Sequence, residues 1–371
     1  MKFTCSREEL VHAIQIVQKA VSSKSNINIS PVFGGIFIRA TESSIELQAT
    51  NIEINISASL DATVEEAGVA VLSARFFSEI VRKMPGDVIT ITTNNKENNA
   101  ILKAGNSSCT LVTLNAEDFP TFKPLTGINS FVVKDVVFKD LIKKTVFACA
   151  QDDTRPIFSS VCLEFGGDTV SMAATNTHRL AFKKDRVSPV ESPLTMLVPG
   201  KMLKEVSTIL SDDLPTDITI SYERNRICLS FERVFLISRL VEGQFPDYKR
   251  VIPRTFNTNV LVDTKELADA VARVSLIARE SDYNVIKFDF EDDKIHIYSS
   301  NPDVGASDEY VNCSIEGDPI YVAINSNYVS DILKNIYTEK TEISLNQTLT
   351  PIRIRPEGSE DYVYIVTPVR R

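Results

Sequence analysis

The chain has 371 residues, 43% hydrophobic and 24% charged, an ordinary composition for a soluble globular protein long enough for two or three domains. Its formal net charge of −9 argues against a simple nucleic-acid binder, whose footprint is usually basic, but leaves room for one concave basic surface with the acid placed elsewhere. No apolar run approaches the ~20 residues of a membrane span, and the polar opening "MKFTCSREEL" holds no signal-peptide pattern, so a cytoplasmic protein is expected.

Along the chain, Ser6 and Glu9 form a capping box, and Leu10, Ala13, Ile14, Val17 and Val21 recur at helical spacing behind it. A strand follows in "GIFIRA" around Ile36, then "ATNIEIN" from Ala49, and a second helix in "ARFFSEIVRKM" around Phe77. "CTLVTL" from Cys109 reads as a closing strand, and "NAEDFPTFKPL" as an extended linker that proline keeps out of helix and ladder.

The same order then returns. Phe138, Leu141, Ile142, Thr145 and Cys149 keep the helical rhythm, without an obvious capping box. After them come "SVCLEF" around Val161, "ATNTHRL" from Ala174, a helix in "GKMLKEVSTIL" around Leu203, "VFLISRL" from Val234 and the linker "EGQFPDYKRVIP". A third pass has Asp263 and Glu266 as cap, then Leu267, Ala270, Val271, Val274 and Ala278, "VIKFDF" around Ile286, "SSNPDVG" from Ser299 and "NSNYVSDILKNI" around Val329. It runs out in "DYVYIVTPVRR". Positions 49, 174 and 299 are 125 apart, as are 36, 161 and 286, while 77, 203 and 329 are 126 apart. The expected fold class is α+β: three tandem copies, each with two helices on antiparallel sheet, at residues 1–127, 128–253 and 254–371.

The six cysteines (Cys5, Cys109, Cys149, Cys162, Cys228, Cys313) never fall at CxxC spacing and mostly sit in apolar or alternating runs such as "VCLEF" and "ICLSF". They read as small buried hydrophobes; neither metal nor cofactor is expected. The three histidines form no HExxH-like pair.

Repetition usually builds an extended or closed surface rather than a catalytic cleft. Opposite their apolar stripes the helices carry Gln15, Gln18 and Lys19; Lys139, Lys143 and Lys144; Lys265 and Arg273; Arg75 and Arg82; Lys201 and Lys204; and Lys334. These are either plain solvated faces or a wall of cations that meets phosphates without reading bases. Many acids fall in strand-connecting stretches ("EDD", "EGSED", "SDD", "AED"), which would put the overall acidity on an outer surface.

With "TRPIFSSVCLEF", "ATNTHRLAF", "EGQFPDYKRVIP" and the "Val-x-Pro-x-Arg"-like tail "VTPVRR", the chain resembles the bacterial sliding clamps, beta subunits of the replicative DNA polymerase III holoenzyme, over essentially its whole length. The resemblance implies a head-to-tail homodimer whose six equivalent domains form a ring with helices lining the hole and sheets outside. It implies a DNA sliding clamp, not an enzyme: a processivity factor that tethers the polymerase to duplex DNA without sequence preference. Lys24 matches a DNA-contacting position of the family, and Lys201 starts a hole-lining helix; Arg75, Arg82, Lys143 and Lys144 complete the expected DNA contacts.

His178 and Arg179 beside a threonine admit three readings: acid–base chemistry, which no nucleophile motif, acidic dyad or glycine-rich loop accompanies; hydrogen bonds at a domain junction; or a groove for short linear motifs. The resemblance implies the third, with the polymerase catalytic subunit, the clamp loader and repair polymerases as partners. It supplies Phe158, Thr175, Thr177, His178, Arg179 and Leu180 to that groove. Pro246, Arg250 and Val251 join from the linker and Pro351 from a late strand. Ile365, Val366, Thr367, Pro368, Val369 and Arg370 come from the tail, where Arg179, Arg250 and Arg370 could hold ligand carbonyls or an acidic residue. Members often carry methionines about this proline and end on an apolar residue; Thr367, Val369 and Arg371 here imply a smaller, stiffer socket.

Leu276 and Ile277 are adjacent, so one must leave the core stripe, and the resemblance sets them against the strand near Cys109 of a second subunit. A clamp-like scaffold that never encircles DNA is the alternative, and an enzyme built from repeats the weaker rival.

Overall fold

The computed structural model describes residues 1–21, 30–94, 97–125, 129–152, 154–190, 192–210, 216–279 and 284–369. In chain order the first copy contains β1 (Lys2–Ser6), α1 (Arg7–Val17), β2 (Gly35–Ala40), β3 (Ser44–Thr50), β4 (Ile54–Asp61), β5 (Thr63–Glu66), β6 (Gly68–Ser73), α2 (Ala74–Lys83), β7 (Val88–Asn94), β8 (Asn99–Ala104) and β9 (Ser107–Leu114). The second has β10 (Ser130–Lys134), α3 (Asp135–Thr145), β11 (Ser160–Gly166), β12 (Thr169–Thr175), β13 (Arg179–Arg186), β14 (Leu194–Pro199), α4 (Gly200–Ile209), β15 (Asp217–Tyr222), β16 (Arg226–Phe231) and β17 (Val234–Arg239). The third has β18 (Thr258–Asp263), α5 (Thr264–Ala278), β19 (Val285–Glu291), β20 (Lys294–Asn301), β21 (Gly305–Glu316), β22 (Ile320–Asn325), α6 (Ser326–Leu333), β23 (Lys340–Leu345), β24 (Ile352–Pro356) and β25 (Tyr362–Val366). One order of strands and helices thus recurs, with β5 as an insertion.

Local chemistry explains the element starts. The Ser6 hydroxyl accepts from the Glu9 N–H (3.4 Å) at the head of α1, and Asp263 accepts from the Glu266 N–H (2.8 Å) at the head of α5. Caps of this kind stabilise a helix by about 1 kcal/mol each. Behind them Leu10, Ala13, Ile14 and Val17, and Leu267, Ala270, Val271, Val274 and Ala278, are all buried. In α3 the Asp135 carboxylate accepts from the Val136 N–H, so that helix opens on a single local contact rather than a box.

The strands form two antiparallel sheets. The thirteen-stranded one runs β10-β15-β16-β17-β4-β3-β2-β6-β9-β8-β7-β1-β5, and the twelve-stranded one β14-β11-β12-β13-β25-β24-β23-β18-β21-β20-β19-β22. Each lies within one compact unit: Met1–Val136 with Thr208–Leu240, and Val137–Ser207 with Val241–Arg371. The joints between copies are ladders: β17 pairs with β4 from Val234↔Ala58 to Ser238↔Ile54, and β13 with β25 from Arg179↔Val366 to Lys183↔Tyr362.

Some expectations are corrected. Val21 and Cys149 are extended, each following a single 3-10 turn, so neither belongs to its helical stripe. Three strands follow the second helix of every copy, where only the last of them ("CTLVTL", "VFLISRL") stood out in the first two; short polar-flanked strands such as β7 and β15 carry too little periodicity to show. Lys139 is buried rather than solvated.

Candidate protein-binding groove and nucleic-acid wall

The recurring "ATN" is a turn mechanism. Asn51, Asn176 and Asn301 each accept a hydrogen bond from the N–H two residues on: Glu53 (3.1 Å), His178 (3.1 Å) and Asp303 (2.8 Å). In the first two copies the preceding threonine joins in, Thr50 Oγ1 accepting from the Ile52 N–H and Thr175 Oγ1 from the Thr177 N–H. The residue so held takes a left-handed conformation, φ +81° at Ile52 and φ +78° at Thr177. In the second copy this turn lifts the His178 side chain into solvent while its carbonyl accepts from the backbone N–H (2.9 Å) and hydroxyl (3.0 Å) of Thr367. The tail is also held at Val369, whose N–H donates to the Ala323 carbonyl (2.8 Å).

Around this turn Leu180 and Ile365 pack with Cys162, Ala173, Leu197, Tyr248 and Val363, flanked by half-buried Ile157, Phe182, Val241, Phe245 and Ile252. The linker is pinned here by Tyr248, whose ring packs against Phe182 (5.6 Å) and Phe245 (6.2 Å) and whose hydroxyl donates to Glu164 (2.6 Å). Burial, with that carboxylate beside it, pushes the Tyr248 phenol far above its usual range. Gly243 in the same linker has φ +135°, and a Cβ there would sit 2.8 Å from Ile157 Cδ1, so only glycine lets the chain pass. Pinned this way, the linker holds Pro246, Arg250 and Val251 exposed at the surface, with Arg250 paired to Asp247 (2.8 Å). Pro351 precedes β24, whose Ile352 lies opposite Val366, and Thr367, Pro368 and Val369 are half-buried. Phe158 lies beneath the Arg155 guanidinium (4.9 Å to the ring) and connects to the cluster through its neighbour Ile157.

Arg179 departs from the expected role. It is 6% exposed, donates to Asp331 Oδ2 (2.6 Å) and to the Phe147 carbonyl, and stacks on Tyr328 (4.6 Å) and Phe147 (5.7 Å). It is therefore held inside the fold by these partners rather than set at the surface where a ligand could reach it. Val366 is likewise wholly buried. Arg370 and Lys24 lie outside the described residues. Arg155, Tyr248 and Phe182 were missed; the repeat carried the signal, since Tyr248 stands where the first linker has Phe122.

The helical cations are less free than their spacing suggested. Arg82, Lys143, Lys201 and Lys204 are exposed, but Arg75 pairs with Glu79 (3.8 Å), Lys144 with Asp140 (2.9 Å), Lys265 with Asp269 (2.5 Å) and Arg273 with Glu309 (2.6 Å). Three of these acids lie one turn along the same helix, so the acidity is not confined to the strand connections. Among the described residues no group of His, Cys, Asp and Glu is arranged to hold a metal, and all six cysteines are free thiols.

Besides the end strands β10, β5, β14 and β22, two strands inside the sheet orders have an open stretch of edge among the described residues. β9 pairs with β8 along Ser107–Val112, while β6 reaches only Thr113 and Leu114, which leaves the Cys109 stretch with one neighbour. β21 pairs with β20 along Gly305–Asn312 and with β18 only from Cys313 on. On α5, Leu276 is 61% exposed and Ile277 half-buried, so Leu276 is the one that leaves the stripe.

Residues 1–123, 132–247 and 249–370 match the N-terminal, central and C-terminal domains described for the DNA polymerase III beta subunit. The beta sliding clamp of Bacillus subtilis is 32% identical over 382 residues, covering 100% of both chains. A crystal structure of the DNA polymerase sliding clamp from the same species superposes with a TM-score of 0.93 at 32% identity, over 100% of this chain and 99% of that one. The Pseudomonas aeruginosa sliding clamp bound to griselimycin does so at 0.91 and 28% identity, over 100% of each. No described helix is long and apolar enough to cross a membrane.

Proposed function

Since the chain belongs to the family of bacterial DNA polymerase III beta subunits, the sliding clamps, we propose that two copies join head to tail into a six-domain ring around duplex DNA. The protein is a DNA sliding clamp, a processivity factor with no catalysis of its own. Processivity then comes from topology and effective concentration: a polymerase tethered to an encircling ring rebinds its primer before it can diffuse away.

The observation that carries this reading is the likeness to clamp structures along the full length, TM-score 0.93. The open edges support closure. The β9 stretch around Cys109 of one subunit would pair with the β21 edge of the next, and Leu276 with Ile277 would seal that joint. The three domains span 1–127, 128–253 and 254–371. DNA is met through Lys24, Arg75, Arg82, Lys143, Lys144 and Lys201, by weak phosphate contacts compatible with sliding. The groove over Leu180, Ile365 and Tyr248 takes the apolar anchors of linear motifs from the polymerase, the clamp loader and repair polymerases. The cytoplasm is where such a ring works.

The test is retention after loading. The protein should remain on closed circular DNA and leave when the circle is cut once; equal loss from both would sink the reading. A scaffold that never encircles DNA predicts a native mass of one chain, and the family does not favour it.

A further inference from the structure

The six described helices carry eleven Lys and Arg (Arg7, Arg75, Arg82, Lys83, Lys139, Lys143, Lys144, Lys201, Lys204, Lys265, Arg273) against nine Asp and Glu (Glu8, Glu9, Glu79, Asp135, Asp140, Glu205, Glu266, Asp269, Asp331), a surplus of only two. The spacing of the acids matters more than their number. Glu79 lies four residues after Arg75, Asp140 four before Lys144 and Asp269 four after Lys265, the separation at which helical side chains meet, and each pair is formed. Lys144 is held further by the Tyr362 ring (5.5 Å from its ammonium). At Lys265 the hydrogen bond to Asp269 raises the ammonium above its ordinary value, and the same bond lowers the carboxyl.

We propose that Glu79, Asp140 and Asp269 are built-in competitors for DNA phosphate, so that contact with DNA exchanges a helical carboxylate for a phosphate rather than occupying a free cation. The inference rests on the ring reading above and specifies how the wall grips. Exchange has two consequences. A cation that gives up its carboxylate gains little net Coulomb energy, and the displaced acid stays within a turn of the incoming phosphate and repels it. An encircling ring needs this, because topology already retains the DNA and tight phosphate contacts would only slow its travel.

The test compares three forms of the full-length protein binding a fluorescent random-sequence duplex across a NaCl series. E79Q/D140N/D269N removes the competitors; E117Q/D118N/E357Q changes the net charge by the same amount on a 3-10 turn and a strand-connecting turn. The competitor variant should bind at least threefold tighter at low salt, and its log–log salt slope should steepen by about 1 to 3, near 0.9 for each further phosphate neutralised. The control should stay within error of the unaltered protein. Equal tightening in both variants, or none in the first, would overturn the exchange. Failure of the unaltered protein to stay on closed circles would instead overturn the ring, so the two failures are distinguishable.

Discussion

At the scale of single residues the second copy hangs on Arg179. A guanidinium buried against Asp331 and two aromatic rings cannot be removed quietly, because the carboxylate and the Phe147 carbonyl then lose their donor. Arg179→Ala should cost about 3 kcal/mol in denaturant unfolding. His178→Ala next to it should leave the unfolding midpoint unchanged and weaken only motif-peptide binding, read by fluorescence polarisation. The thiols offer a second check. Burial pushes Cys5, Cys149 and Cys162 up to about 12, so all three stay protonated and inert to thiol reagents at pH 8. Cys109 on the open edge should react first, and faster in a monomeric variant than in the dimer, as mass spectrometry of the labelled protein would show. What the sequence hid here was the identity of partners: Asp331 lies 152 residues from Arg179, and no spacing rule connects them. The i,i+4 acids were in plain view, and only the habit of assigning cations to solvent obscured them.

At the scale of elements, the asparagine turn was legible because each copy needs the same backbone contact, and a short polar side chain is the simplest way to supply it. Its central residue was not legible. Ile52 is β-branched, half-exposed and left-handed, a conformation that stores about 1–3 kcal/mol. Ile52→Gly should therefore raise stability by about 1 kcal/mol in spite of glycine's greater freedom in the unfolded chain. Asn176→Ala should loosen the second turn and reduce motif-peptide affinity severalfold, whereas Asn51→Ala should not touch it. Equal losses from both would show that the groove does not lie over the second copy's turn. The first copy has the same turn, but where the second has Ala173 in the cluster under Leu180 and Ile365 it has Gln48, whose amide bonds the Phe122 backbone.

At the scale of the whole molecule, the three-fold organisation could be read from periodicity alone, whereas the ladders that join successive copies could not, since strand neighbours leave no mark on spacing. Copies within a chain are fused by β17·β4 and β13·β25, so on the proposed reading the joints between chains, at the part-open edges of β9 and β21, are the ones to break. Leu276→Lys with Ile277→Lys should convert the dimer to monomers by analytical ultracentrifugation, with each chain still folded by circular dichroism. A double variant that sediments as a dimer would remove these residues from the joint.

The interrupted makeup of the first unit also has a consequence during synthesis. β4 is complete at residue 61, but its neighbour β17 ends only at residue 239. At about 5–20 residues per second the ribosome leaves that edge of β4, already paired with β3 on its other side, without its neighbour for roughly 10–35 s, longer than most folding steps take. A nascent chain halted near its midpoint should therefore carry a sticky, unfinished rim and lean on chaperones, while one released past residue 240 should not.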